Sequence, residues 1–194
     1  EAEETFSVTL GNLVSPLGKP PVAETTPVVT TIMNDDSGAI TIASVNGSET
    51  GPVAGTYTFS FPAGVSADAP TTISFGLAGT AGPSDYTGSG TGSVIIPAGD
   101  NSITLTLPVI DDTLAEGTET VVLTAGSVSS PYGITLTNSP KTLEIADNDQ
   151  ATLTISGATV AEGNSETTAL TFTVTLDKAS GPFCVNYANP DGTA

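Results

Sequence analysis

Residues 113 positions apart match along this chain of 194 residues. Ile40-Thr41-Ile42 corresponds to Leu153-Thr154-Ile155, Glu49 to Glu162, Phe59 to Phe172 and Asp36 to Asp149, with no gap between them. An internal period of this kind dictates the organisation before any single residue is considered. It predicts one complete unit at 37–149, preceded by the last part of another at 1–36 and followed by the first part of a third at 150–194. Asp149 is followed almost at once by the next strand signal, Ala151-Thr152-Leu153, which leaves little room for a hinge.

Strand signals dominate within the unit. Tyr57-Thr58-Phe59-Ser60-Phe61 and Ile103-Thr104-Leu105-Thr106-Leu107 alternate apolar and polar residues, the period of a half-buried strand. Leu170-Thr171-Phe172-Thr173-Val174-Thr175-Leu176 does the same in the third segment. Thr, Val and Ile are abundant and favour strands. Gly and Pro punctuate the gaps, as in Pro97-Ala98-Gly99-Asp100-Asn101. No amphipathic helix is evident. Seven strands are expected, near 39–45, 55–62, 71–77, 92–96, 102–110, 119–126 and 140–146. That number of short strands in one unit, with turns between them, predicts an all-β antiparallel sandwich.

The charge is one-sided, with 21 acidic residues against three Lys or Arg and no His, a net charge of -18. Nothing is available to neutralise phosphates, which argues against nucleic acid and against anionic lipid. No run of about 18 apolar residues exists, so no direct membrane insertion is expected. The single cysteine, Cys184, forms no intrachain disulfide and, between Phe183 and Val185, reads as a buried small hydrophobe.

Most of the acids are clustered. Asp111, Asp112, Glu116 and Glu119 crowd one short stretch, and Asp147-Asn148-Asp149 closes the unit. Glu1 and Glu4, with Asn34-Asp35-Asp36, repeat this arrangement at the start of the chain. Carboxylates this dense repel one another unless a cation sits between them. An all-oxygen ligand set suits a hard ion, Ca2+ first. The competing reading is of loop acids that only keep the protein soluble. Asp85 taken alone is also a common turn residue before an aromatic, and Glu49 taken alone is equally consistent with a surface residue.

Together these segments resemble the Calx-beta domain family. The resemblance rests on Asp111-Asp112-x-x-x-Glu116-x-x-Glu119, a following strand, and Asp147-Asn148-Asp149 before a new unit. Gly79-Thr80-Ala81-Gly82-Pro83-Ser84-Asp85-Tyr86 and Val185-Asn186-Tyr187 with Asp191-Gly192-Thr193-Ala194 agree with it. The resemblance implies immunoglobulin-like β-sandwich repeats in tandem, with calcium held among loops at one end. Carried over position by position, the implied ligands are Glu49 (Glu162 in the next unit), Asp85, Asp111, Asp112, the carbonyl of Leu114, Glu116, Glu119, Asp147, Asn148 and Asp149. Asn148 stands where the strongest form of the pattern has an acid, so the site carries one charge fewer.

Other chemistries fit less well. Without His no Ser-His-Asp triad can form, and the three lysines lie in no recognisable motif. Gly88-Ser89-Gly90-Thr91-Gly92 lacks the Lys and the helix of a phosphate loop. The stretch Ser15-Pro16-Leu17-Gly18-Lys19-Pro20-Pro21 reads as a rigid connector. The chain is therefore expected to be no enzyme. It reads as a calcium-binding structural module of a long extracellular or cell-surface array, an adhesin, filament or matrix protein. Its expected partners are neighbouring repeats or copies of the same protein. A calcium-sensing regulatory domain and an accessory module of a large secreted enzyme are the alternatives.

Overall fold

The computed structural model describes residues 4–11, 16, 18, 26–32, 37–131, 133–161, 163–164 and 167–188. Among the candidate residues, Glu1, Asn34, Asp35, Asp36 and Glu162 lie outside these residues, as do most of 15–21 and all of 189–194. Every regular element among the described residues is a strand. In chain order they are β1 (Glu4–Val8), β2 (Val28–Ile32), β3 (Ser37–Val45), β4 (Gly47–Ser48), β5 (Gly55–Ser60), β6 (Thr71–Gly79), β7 (Thr91–Ile96), β8 (Ser102–Leu107), β9 (Glu119–Ser129), β10 (Gly133–Thr137), β11 (Lys141–Ala146), β12 (Leu153–Ser156) and β13 (Thr173–Leu176). None of the described segments is a helix long and apolar enough to cross a membrane.

Strands β3 to β11 build two sheets, of order β10-β3-β5-β8 and β4-β11-β9-β6-β7. Period-2 alternation sends one set of side chains inward from each sheet. Ile40, Ile42, Tyr57, Phe59 and Leu107 come from the first, and Ile73, Phe75, Val94, Ile96, Val121, Leu123, Leu143 and Ile145 from the second. They form one buried cluster, which makes the pair a sandwich. Each large side chain removed from water contributes about 2 kcal/mol. Tyr57 is fully buried and still satisfied, because its hydroxyl crosses the core and donates to the Val121 carbonyl at 2.6 Å. Burial pushes its phenol up to about 12, with neighbouring backbone hydrogen bonds of Leu143 and Leu123 pulling the other way.

The expected strands correspond to β3, β5, β6, β7, β8, β9 and β11, but the sandwich is not wholly antiparallel. β10 pairs in parallel with β3, and β4 in parallel with β11. After β3 the chain switches sheets at Asn46, and Gly47 permits the crossing: a Cβ there would sit 2.7 Å from Val109 Cγ2. β10 belongs to the connection between β9 and β11, which reaches across to the far edge of the opposite sheet. The strand expected over 102–110 stops at Leu107, since Pro108 has no N–H to give a ladder. Val109 then makes only an isolated bridge to Tyr86.

Two further antiparallel pairs flank the sandwich in sequence, β1 with β2 and β12 with β13. β1–β2 pairs Glu4 with Ile32, as β9–β11 pairs Glu119 with Ile145. Positions matched by the period do not share burial, however. Phe59 is fully buried whereas Phe172 is 58 % exposed. Cys184 corrects the expectation of a buried thiol: it is exposed, between the equally exposed Phe183 and Val185.

Candidate metal centre

The candidate residues lie in the connections between strands or, for Glu119, at a strand's first residue. Glu49 lies in the turn after β4, and its N–H is held by the Ala146 carbonyl at 3.0 Å. Asp85 closes a turn between β6 and β7. Asp111 to Glu116 follow β8, Glu119 opens β9, and Asp147 to Asp149 follow β11. β9 and β11 are antiparallel with Glu119 opposite Ile145, so the start of one and the end of the other meet at the same end of the sandwich. Gly79 opposite Val121 brings the end of β6 there as well.

Two groups of carboxylates result among the described residues. Ligand atoms of Glu49, Asp147 and Asp149 lie within 4.8 Å of one another, and so do those of Asp85, Glu116 and Glu119. The groups adjoin. The Glu116 N–H donates to Asp147 Oδ2 at 2.7 Å, and the charge of Asp112 is felt by both Glu49 and Glu116.

Backbone donors orient the acids. Asp85 is buried, accepting from the Gly82 N–H at 2.5 Å and from the Ser84 hydroxyl at 2.9 Å. Asp112 Oδ1 accepts the Leu114 N–H at 2.7 Å, a local turn that bends the chain between the acids. Asp147 Oδ1 accepts the Asp149 N–H at 2.7 Å. Leu114 thus enters this end through its N–H. Asp111 is exposed, takes the Asn148 side-chain amide at 3.0 Å and is in neither group, while the Asn148 backbone N–H reaches Glu49.

Glu49 and Asp85, each ambiguous in the sequence, are among the few buried polar side chains of the described residues, at 3 % and 4 % exposure. Glu49 Oε2 and Asp149 Oδ2 are buried without a hydrogen-bond partner. Burial pushes the Glu49 carboxyl up to about 7, aided by the charges of Asp147 and Asp112 and opposed by the Asn148 N–H. Burial, the contact with Asp85 and the charges of Glu116 and Glu49 likewise push Glu119 up to about 7. Glu116 is raised by burial and then by Asp85, Asp112 and Asp147. Carboxylates that resist ionisation for want of a counter-charge are a fitting cradle for a hard cation. The orphaned oxygens of Glu49 and Asp149 supply the lone pairs such an ion would take.

One participant carries no signal in the sequence. Lys178, from the turn after β13, reaches back and forms an ion pair with Asp149. The acid that holds it, Asp149, is 29 residues away in the chain, so its local surroundings do not mark it.

No protein-family model matches the chain, and no curated protein matches it. Among solved structures it is similar to the apo-form Calx CBD1 domain, at 20 % identity and a TM-score of 0.46, over 57 % of this chain and 98 % of that one. It is also similar to the calcium binding domain CBD12 of CALX1.1, at 21 % identity and a TM-score of 0.44, over 58 % of this chain and 42 % of that one. CBD12 from CALX1.2 is similar at 19 % identity and a TM-score of 0.44, over 61 % and 49 % respectively. What the acidic end of this chain can hold is decided by its own carboxylates. They define an all-β sandwich whose strand ends converge on an acidic centre able to hold a metal ion.

Proposed function

We propose that the acidic end binds Ca2+ and that the chain is a non-enzymatic structural module of an extracellular or cell-surface array, stiffened by calcium. The observation that carries this reading is Glu49: a buried carboxylate, one oxygen unpartnered, within ligand distance of Asp147 and Asp149. A solubilising acid would stand in water. A buried one is tolerated when a cation replaces the lost hydration. Calcium takes six to eight oxygens, so Glu49, Asp147 and Asp149, with Asp112 close by, provide a core of ligands for one ion. Asp85, Glu116 and Glu119 provide another. The motifs shared with the Calx-beta family support the same ion.

The structural role is supported by the position of the centre. Asp147 to Asp149 open the connection of residues 147–152 between β11 and β12, so an ion held there braces the start of the path from one segment to the next. Neighbouring repeats or further copies are the partners such a role implies. Extracellular calcium is abundant, and sites of about 10⁻⁴ to 10⁻³ M suffice. Calorimetric titration of the chain with CaCl2, with melts in calcium and in chelator, tests the reading. A heat of binding and a calcium-dependent rise in Tm support it. Micromolar affinity would favour a sensor instead, and no binding at millimolar calcium would leave a sandwich spacer.

A further inference from the structure

Lys178 is delivered to the acidic end by backbone held on both sides of it. The Asp177 N–H donates to the Thr152 carbonyl at 3.2 Å, and Asp177 Oδ1 accepts the Thr152 N–H at 2.6 Å. On the other side the Ala115 N–H donates to the Ala179 carbonyl at 3.0 Å and the Gly181 N–H donates to the Ala115 carbonyl at 3.3 Å. Ala115 lies between Leu114 and Glu116, inside the acidic segment. The ammonium therefore has a fixed origin, and it meets Asp149 Oδ1. The Asp149 side chain is 8 % exposed and its Oδ2 is unpartnered, whereas the Lys178 side chain is 41 % exposed.

Resting on the proposed metal reading, we propose that Lys178 is an intramolecular competitor for the divalent ion at Glu49, Asp147 and Asp149. Its ammonium is a compact point charge on a flexible stem, able to neutralise one carboxylate but without the valence or the coordination number to satisfy three. A calcium ion satisfies them all; Asp149 Oδ2 stays open beside the Lys178 contact at Oδ1, so the two cations compete for the single charge of Asp149. The lysine can leave at small cost, since its stem already lies in water. Apparent metal affinity is the intrinsic affinity scaled by the fraction of molecules in which Asp149 is free. If the ion pair is formed nine-tenths of the time, the centre binds about tenfold more weakly than its ligands alone dictate. The segment that follows the unit thereby sets the calcium concentration at which this end fills.

The test is calorimetric titration of the full chain with CaCl2 at constant ionic strength. Lys178→Met removes the charge and keeps the stem, Lys178→Arg keeps the charge, and Lys141→Met removes a charge on β11 away from the acids. Lys178→Met is expected to tighten one binding event about tenfold. Lys178→Arg keeps the competing charge in place, and Lys141→Met removes one that lies beyond the reach of screened interactions, so both are expected to stay within about twofold of the parent. An unchanged or weaker affinity in Lys178→Met, or an equal gain in Lys141→Met, overturns the competition while leaving the calcium centre standing. Absence of any calcium heat in the parent and in Lys178→Met overturns the centre and the competition together.

Discussion

Glu49→Gln separates what the buried carboxylate costs from what it does. The substitution keeps shape and volume and removes the ionisation. Glu49 titrates at about 7 in the fold against 4.5 in the unfolded chain. The folded form thus binds more protons than the unfolded form between these values, and stability falls as pH rises through that window. One pKa unit corresponds to about 1.4 kcal/mol, so at pH 8 the ionised Glu49 costs the metal-free protein up to about 3 kcal/mol. In chelator at pH 8 the Gln variant is therefore expected to be more stable than the parent, by about 5 to 10 °C in Tm for a unit of this size. At pH 5, where Glu49 is mostly protonated in the fold, the difference should shrink toward zero. In calcium the order changes. Saturation at 100 times Kd stabilises the parent by about 2.7 kcal/mol, and the variant should lose most of that gain. Differential scanning calorimetry at the two pH values, with and without calcium, reads every arm. A Gln variant no more stable than the parent in chelator at pH 8 would refute the reasoning, because Glu49 would then not be a strained acid.

Three further outcomes follow from other parts of the fold. Glu116 and Glu119 are raised for the same reasons as Glu49, so the Tm of the chelated parent should fall between pH 5 and 8 and the fall should flatten in saturating calcium; a Tm that rises with pH in chelator contradicts the assignment. Gly79 has φ 140° and a Cβ there would lie 2.0 Å from the Thr120 carbonyl oxygen, so Gly79→Ala should cost about 3 kcal/mol or more in urea unfolding, and a loss below 1 kcal/mol would mean that the β6–β9 contact yields easily. Tyr57→Phe removes the hydrogen bond to the Val121 carbonyl and should cost about 1 to 2 kcal/mol, with an unchanged urea midpoint counting against that bond's contribution.

The sandwich was legible because its strands are written in a two-residue code. Tyr57-Thr58-Phe59 and Ile73-Ser74-Phe75 alternate, and the apolar member of each pair is buried. β10 was missed because Gly133-Ile134-Thr135-Leu136-Thr137 contributes only half-buried side chains at a sheet edge and stands among turn residues. Parallel pairing was hidden for a different reason: it depends on which distant edge a connection reaches, and alternation carries no information about that. Cys184 shows the limit of local context, since apolar neighbours imply burial only if something covers them. At the acidic end, spacing and repetition marked the residues, but burial of Glu49 and Asp85 arises from loops far apart in sequence. Separation of the acids into two adjoining groups, with Asp111 outside them, is likewise a property of the assembled end. Lys178 was illegible because contacts between distant segments, Ala115 with Ala179 and Gly181 and Thr152 with Asp177, bring it there.

The two parallel pairs set how the unit meets tension. A pull entering at Ser37 and leaving through Ala146 loads β3 first, and once it passes to β4 it drags β4 and β11 in opposite directions along their shared axis. Hydrogen bonds across a ladder sheared in this way are strained together, whereas those of a hairpin opened from its end give way one after another. β4 is only two residues long, and β11 runs directly into Asp147, Asn148 and Asp149. The acids thus lie in the line of force, at the point where the short clamp ends and the next segment begins to pull.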